Sequence, residues 1–216
     1  MSQAREKHYQ LQLAQVQKAL EKHFFGASVH ETLEEALDYL TGTIVDESVA
    51  SVGFGGSETV TPTDINSRLL KNPRLTVFDR NSSALSPEER SELSRKSLTA
   101  DLFIASSNAV TLSGELVNID KFGNRVAAMI YGPKKVALIA GRNKIVPTQE
   151  DARMRLKNYA APMNAIRLNL TTPCAVKGFC HDCQGSSRIC GVLTIIERSF
   201  PPGRIHVLLV NQDLGF

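Results

Sequence analysis

The chain has 216 residues, 42% hydrophobic and 22% charged, with 25 Lys and Arg against 22 Asp and Glu for a formal net charge of +3. That balance excludes a disordered or collagen-like chain, and the positive residues form no long block that would point to a nucleic-acid partner. No apolar run approaches the ~18 residues of a membrane span. The polar, charged start from Met1 to Lys7 is unlike a secretory signal, so the chain is read as cytoplasmic.

Tyr9, Leu13, Val16, Leu20 and Phe24 step at helical spacing and predict a first helix, stopped by Gly26. Thr32 and Glu35 have capping-box spacing and open a second helix with the stripe Leu33, Ala36, Leu37, Leu40 and Ile44. A short β-like run, Ser48 to Phe54, then breaks into Gly55-Gly56-Ser57. A polar helix from Thr63 to Leu70 and a strand over Leu75 to Phe78 follow. Ser86-Pro87-Glu88-Glu89 supplies a cap, a first-turn proline and a capping glutamate for a helix ending near Leu98.

Asp101 to Ser106 reads as a buried strand, and Ala109 to Ile119 as a hairpin about Ser113-Gly114. Val136 to Ala140 is another apolar strand, and Thr148 to Ala160 has helical spacing. Two β-like runs, Val192 to Glu197 and Arg204 to Val210, close the chain around Pro201-Pro202-Gly203. Alternating strands and helices predict an α/β fold with a mostly parallel sheet flanked by helices. We expect one domain over residues 1–216, with a helical N-terminal segment (1–46) and a four-cysteine loop (174–190) as appendages.

Three segments are candidates for chemistry. Gly53-Phe54-Gly55-Gly56-Ser57-Glu58-Thr59 follows a strand, where open α/β sheets bind ligands. Its glycines allow close backbone approach, and free amides with the Ser57 and Thr59 hydroxyls suit an anion. It reads equally as a tight strand–helix turn. Around Asn108 to Arg125, polar side chains are dense: Asn108, Glu115, Asp120, Asn124 and Arg125. Asn and Asp near glycine are often turn formers, whereas the Arg125 fork suits a carboxylate or phosphate, or a neighbouring acid.

All four cysteines fall in Cys174-x5-Cys180-x2-Cys183-x6-Cys190. Crowded thiols in a chain long enough to bury a core point to a metal or iron–sulfur cluster before a disulfide framework. A 4Fe–4S cluster is the first expectation, zinc the second, and free thiols or disulfides the third. No Ser-His-Asp or Cys-His constellation is defensible among the scattered histidines.

Together these segments, with Gly132-Pro133-Lys134-Lys135, Asn143-Lys144 and Val210 to Phe216, resemble the LUD-domain family of lactate-utilisation proteins in its stand-alone, YkgG-like form. The resemblance implies a fold similar to the ribose-phosphate isomerase and CoA-transferase group, with a ligand site at the glycine-rich loop. It also implies a place in lactate or organic-acid oxidation beside iron–sulfur partner subunits. The implied ligand-binding set is Gly53, Gly55, Gly56, Ser57, Thr59, Asn108, Asp120, Asn124, Arg125, Asn143 and Lys144, for a small anion or nucleotide.

Where isomerase relatives of that wider group carry a catalytic aspartate, this sequence has Asn108, and an amide cannot move the proton. Glu115 and Asp120 remain the catalytic candidates; a covalent CoA transfer would need an exposed carboxylate such as Glu115. The alternatives are a non-catalytic ligand-binding or regulatory subunit, and an isomerase or CoA-transferase-like enzyme on a phosphorylated or CoA-linked substrate.

Overall fold

A computed structural model describes residues 3–80, 82 and 84–216; Met1 and Ser2 of the expected N-terminal segment lie outside the described residues. The elements run α1 (Gln3–Lys22), β1 (Gly26–His30), α2 (Leu33–Tyr39), β2 (Ser51–Phe54), α3 (Ile65–Leu70), β3 (Thr76–Phe78), α4 (Pro87–Ser97) and β4 (Leu102–Ala105). Then come β5 (Ala109–Thr111), β6 (Leu116–Asp120), α5 (Asn124–Ile130), β7 (Lys135–Gly141), β8 (Ile145–Val146), α6 (Gln149–Arg155), α7 (Ala161–Arg167), α8 (Pro173–Lys177), β9 (Val192–Ile196) and β10 (Ile205–Val210).

Six strands form one sheet in the order β1-β10-β7-β4-β2-β3, and every pairing in it is parallel. Such a sheet is buried on both faces, which explains the uninterrupted apolar runs of β4, β7 and β10. Alternate residues serve opposite faces. Phe103, Val136, Leu138, Val207 and Leu209 pack with Leu13, Val16 and Leu20 of α1 and with Val126 and Met129 of α5. Leu102, Ile104, Ala137, Ile139 and Leu208 pack with Ala36 and Leu37 of α2 and with Ile65 and Leu69 of α3. The expected α/β architecture with helices on the sheet is therefore what the chain adopts.

A second sheet, β8-β5-β6-β9, is mixed: β5 and β6 form the expected antiparallel hairpin, and β9 lies antiparallel to β6. The two C-terminal β-runs thus belong to different sheets. Gly114 turns the hairpin at φ +87, and a Cβ there would stand 2.7 Å from the Ala19 carbonyl carbon, so the turn abuts α1 directly.

Helix starts follow the expected chemistry. Ser86 and Glu89 form a reciprocal capping box on α4, and Thr148 and Asp151 do the same on α6. Thr32 caps α2 through the Glu35 amide, but the Glu35 carboxylate takes the Glu31 amide at 3.0 Å instead of closing the box.

Three segments differ from the sequence reading. Gly26 does not simply stop α1; it opens β1, the edge strand on β10, because a Cβ there would meet the His206 ring at 2.4 Å. Residues 1–46, expected as a helical appendage, accordingly contribute a strand to the main sheet and α1 to its core. Asn124–Ile130, whose polar start reads as a turn, and Ala161–Arg167, to which the sequence reading assigns no element, are both helices.

Candidate functional site

The carboxyl ends of β2 and β4, the start of α5 and the turn after β7 converge on a cleft of about 460 Å³. Of the expected ligand-binding set, Gly56, Ser57, Asn108, Asp120, Asn124, Arg125 and Lys144 line it. Arg80, Asn164 and Arg167, which the sequence reading did not select, line it too. Among the described lining residues, Arg80, Lys121, Arg125, Lys144 and Arg167 face two acidic side chains, Glu58 and Asp120. The excess of positive charge favours an anionic occupant.

Lys144 lies in the cleft wall yet is only 2% exposed. Its Nζ donates to Thr59 Oγ1 at 2.7 Å and to Ser106 Oγ at 2.8 Å. Those hydroxyls spend their own protons on carbonyls, Thr59 on Leu214 at 3.4 Å and Ser106 on Ser107 at 3.2 Å. No carboxylate pairs with Lys144 among the described residues. Burial, reinforced by Arg155 and Arg125, pushes its ammonium down to about 7.

Arg125 is occupied by the protein itself. Nη1 donates to the Ser106 carbonyl and to Asn118 Oδ1, each at 2.9 Å. Nη2 donates to Asn108 Oδ1 at 2.9 Å and to the Ile119 carbonyl at 2.8 Å, while Nε faces Asp120 Oδ2 at 3.3 Å. Asp120 Oδ1 takes the Phe122 and Gly123 amides. Asn108 in turn accepts the Ile119 amide at 3.0 Å and donates its own amide to Asn118 Oδ1 at 3.0 Å. These residues form one polar knot that joins the two sheets and sets the cleft floor. Both oxygens of Asp120 are engaged, so it holds the turn and the guanidinium.

The other expected positions act through packing. A Cβ on Gly53 would strike Ser97 of α4 at 2.6 Å, and one on Gly55 would meet Arg125 Cγ at 3.0 Å. Thr59 works through Lys144, and Asn143 binds the Leu214 amide and the Gly215 carbonyl, at 3.0 and 3.1 Å. Glu115 is away from the cleft at the hairpin turn, held by Ser113 Oγ at 2.8 Å and Gln149 Nε2 at 2.9 Å. Burial raises its carboxyl, but the Thr111, Gln149 and Ser113 hydrogen bonds outweigh that and leave it lowered.

Two polar atoms near the cleft are buried without a hydrogen-bond partner among the described residues, Arg80 Nε and Asn118 Nδ2. Among the described residues the Gly56, Ser57 and Glu58 amides have no hydrogen-bond acceptor, since the loop's bonds begin at Gly55 and resume at Thr59. The glycine loop therefore offers donors and no charge of its own until Glu58, which Arg167 pairs at 3.1 Å.

The four cysteines are unpaired, Cys174 buried and Cys180, Cys183 and Cys190 half-buried. Burial and the neighbouring Cys180, Cys174 and Cys183 push the Cys190 thiol up to about 11, with Arg188 opposing. Arg188 ties the loop together through the Cys183 and Cys190 carbonyls, at 2.6 and 3.0 Å. The Asp182 amide points at Cys180 Sγ at 3.3 Å. As placed, no three His, Cys, Asp or Glu side chains among the described residues are close enough to hold a metal ion. The loop adjoins the cleft: Ile189 lines it and packs against Ala165 and Cys174.

No helix among the described residues is long and apolar enough to cross a membrane. A crystal structure of a DUF162 family protein from Deinococcus radiodurans is similar over 97% of this chain and 99% of that one, with TM-score 0.50 and 13% identity, a likeness of fold. No curated protein matches the sequence. The LUD domain model matches residues 13–210, which include both sheets, the cysteine loop and the cleft lining apart from Phe216. The chain belongs to the LUD-domain family.

Proposed function

We propose that the chain is a component of a lactate or organic-acid oxidation system that binds a small anionic ligand in the cleft between the two sheets. The observation carrying this reading is the buried, carboxylate-free Lys144 in a cleft whose lining cations outnumber its acids. A buried amine with only hydroxyl partners is poorly satisfied, and an incoming carboxylate or phosphate completes it. The Gly56 to Glu58 amides and the Arg80 guanidinium are suited to meet the same anion. Family membership supports the lactate-utilisation context.

We further propose that Cys174, Cys180, Cys183 and Cys190 hold a 4Fe–4S cluster or, as second choice, zinc. The donor set fits in kind: Cys190 lies within electrostatic reach of the other three thiols, and an amide is aimed at one sulfur. Closing on a metal requires the loop to draw in, since the thiols do not stand at ligand distances. A cluster would supply electron transfer to partner subunits through the wall shared at Ile189; zinc would supply a structural clip.

Titration calorimetry of the full chain with pyruvate, L-lactate and inorganic phosphate tests the ligand reading. Saturable binding that falls tenfold or more in Lys144→Met supports it; silence with all three overturns it.

A further inference from the structure

Two hydrogen bonds fix two of the three free valences of the Lys144 nitrogen, and both acceptors are neutral hydroxyls. Because the protons of Thr59 and Ser106 are committed to backbone carbonyls, neither hydroxyl can turn around and donate to that nitrogen. Lys144 lines the cleft, so the remaining valence is the one left for an occupant. In the neutral amine that valence is the lone pair. The charged groups acting on Lys144 are Arg155 of α6 and Arg125 of α5, both cations, so nothing nearby holds a proton on it. The neutral form is accordingly well populated near pH 7.

An amine presented in this way beside anion-binding donors has a specific chemical complement, a carbonyl compound that carries a negative charge. We propose that Lys144 is a nucleophile that forms a Schiff base with a 2-oxo acid bound in the cleft. This rests on the anion-binding reading above and goes beyond it. The nitrogen lone pair attacks the ketone carbon, forming the C–N bond while the C=O π electrons move to oxygen. That oxygen takes one amine proton, giving a carbinolamine. It then leaves as water with the second amine proton, and the nitrogen electrons close the C=N bond. No oxidant or reductant is consumed. Ser106 and Thr59, which accept hydrogen bonds from the amine, orient it for attack, while the carboxylate sits on the loop amides and Arg80.

The test is reductive trapping. Full-length protein is incubated at pH 7.5 with pyruvate and borohydride, and the adduct is measured by intact mass and located by peptide mapping. Pyruvate calorimetry runs in parallel. Adduct on Lys144, at least about tenfold above any other lysine and suppressed by excess L-lactate, supports the proposal. Calorimetric binding without adduct overturns it and leaves the anion site standing. Neither binding nor adduct overturns both. Adduct with dihydroxyacetone phosphate but none with pyruvate overturns the 2-oxo acid assignment. Lys144→Arg, checked for native circular dichroism, removes the adduct if the mapped site is correct; an adduct that persists overturns it.

Discussion

Arg125 and Asn108, 17 residues apart, meet at 2.9 Å with the guanidinium donating to the side-chain amide oxygen. The same oxygen receives the Ile119 amide, so one asparagine holds together the arginine and the strand on which the cleft floor is built. An aspartate at position 108 would place a second carboxylate beside a guanidinium already paired with Asp120; the neutral amide leaves the positive charge of the cleft intact.

Replacing Arg125 by Met leaves the nearly buried Asp120 without its cation and strips the guanidinium's hydrogen bonds from the Asn108 and Asn118 oxygens and from the Ser106 and Ile119 carbonyls. We expect a loss of about 3–5 kcal/mol in urea unfolding. Arg125→Lys should recover little of it, because one ammonium cannot reproduce a planar fork satisfying five acceptors. A loss below about 1 kcal/mol would show that the knot is not structural.

Lys144 gives stability a defined pH dependence. The unfolded chain keeps its proton up to about 10.5, whereas the folded one releases it near 7. Between those values the unfolded state binds more protons, so the lysine's penalty is full below pH 7 and fades as pH rises. Lys144→Met should therefore be more stable than the parent below pH 7, by a few kcal/mol, with the gap narrowing towards pH 10. Denaturant melts at pH 6, 8 and 10 measure this; a constant gap contradicts it.

His206 works at the acid end. Burial and the adjacent His30 push it down to about 4, and Ser28 Oγ lies 3.1 Å from its Nε2 and 2.8 Å from that of His30. Tyr39 stacks at a tilt over both rings. The unfolded imidazole protonates near 6.5 and the folded one near 4, so its stabilising effect is lost as pH falls through that window. His206→Asn should flatten the decline between pH 6.5 and 4 by about 2–3 kcal/mol. An unchanged slope would place the acid sensitivity elsewhere.

Gly53→Ala forces a methyl against Ser97, whose Cα would be 2.8 Å away. Ser97 is 1% exposed in α4, so the helix has to move off β2. A drop of about 1–3 kcal/mol is expected, visible as a lowered urea midpoint. Gly56→Ala, where a Cβ meets nothing within 4 Å, should leave that midpoint in place.

For the cysteines, anaerobic purification followed by iron, sulfide and zinc analysis should return about four irons with sulfide, or about one zinc, per chain. Cys183→Ser should lower that content at least severalfold, and a metal-free parent would dismiss the metal reading.

Much of this fold is legible because its signals are local. The Ser86–Glu89 box, the Ser113-Gly114 hairpin and the apolar runs of β4, β7 and β10 all follow from neighbouring residues. The misreadings occur where the reason for a residue is distant. Gly26 looks like a stop, but it is small because the His206 ring lies across it. Asn124-Arg125 looks like a turn because the five acceptors of Arg125 come from separate strands and loops. Arg80 carries no motif, and the burial of Lys144 depends on Thr59 and Ser106, which lie 85 and 38 residues away. The family resemblance marked Lys144; nothing in its immediate neighbours indicates that it is enclosed.

The strand order also sets a timetable. β1 has a single sheet neighbour, β10, which inserts between it and β7. During synthesis residues 26–30 therefore wait for residues 205–210 before any strand can pair with them. Closing so long a loop in parallel register is slow. Until then β1 and the β7 edge are bare templates for pairing with another chain. Docking of β1 onto the sheet therefore waits until β10 has formed, and lesions in β10 should appear first as poor soluble yield.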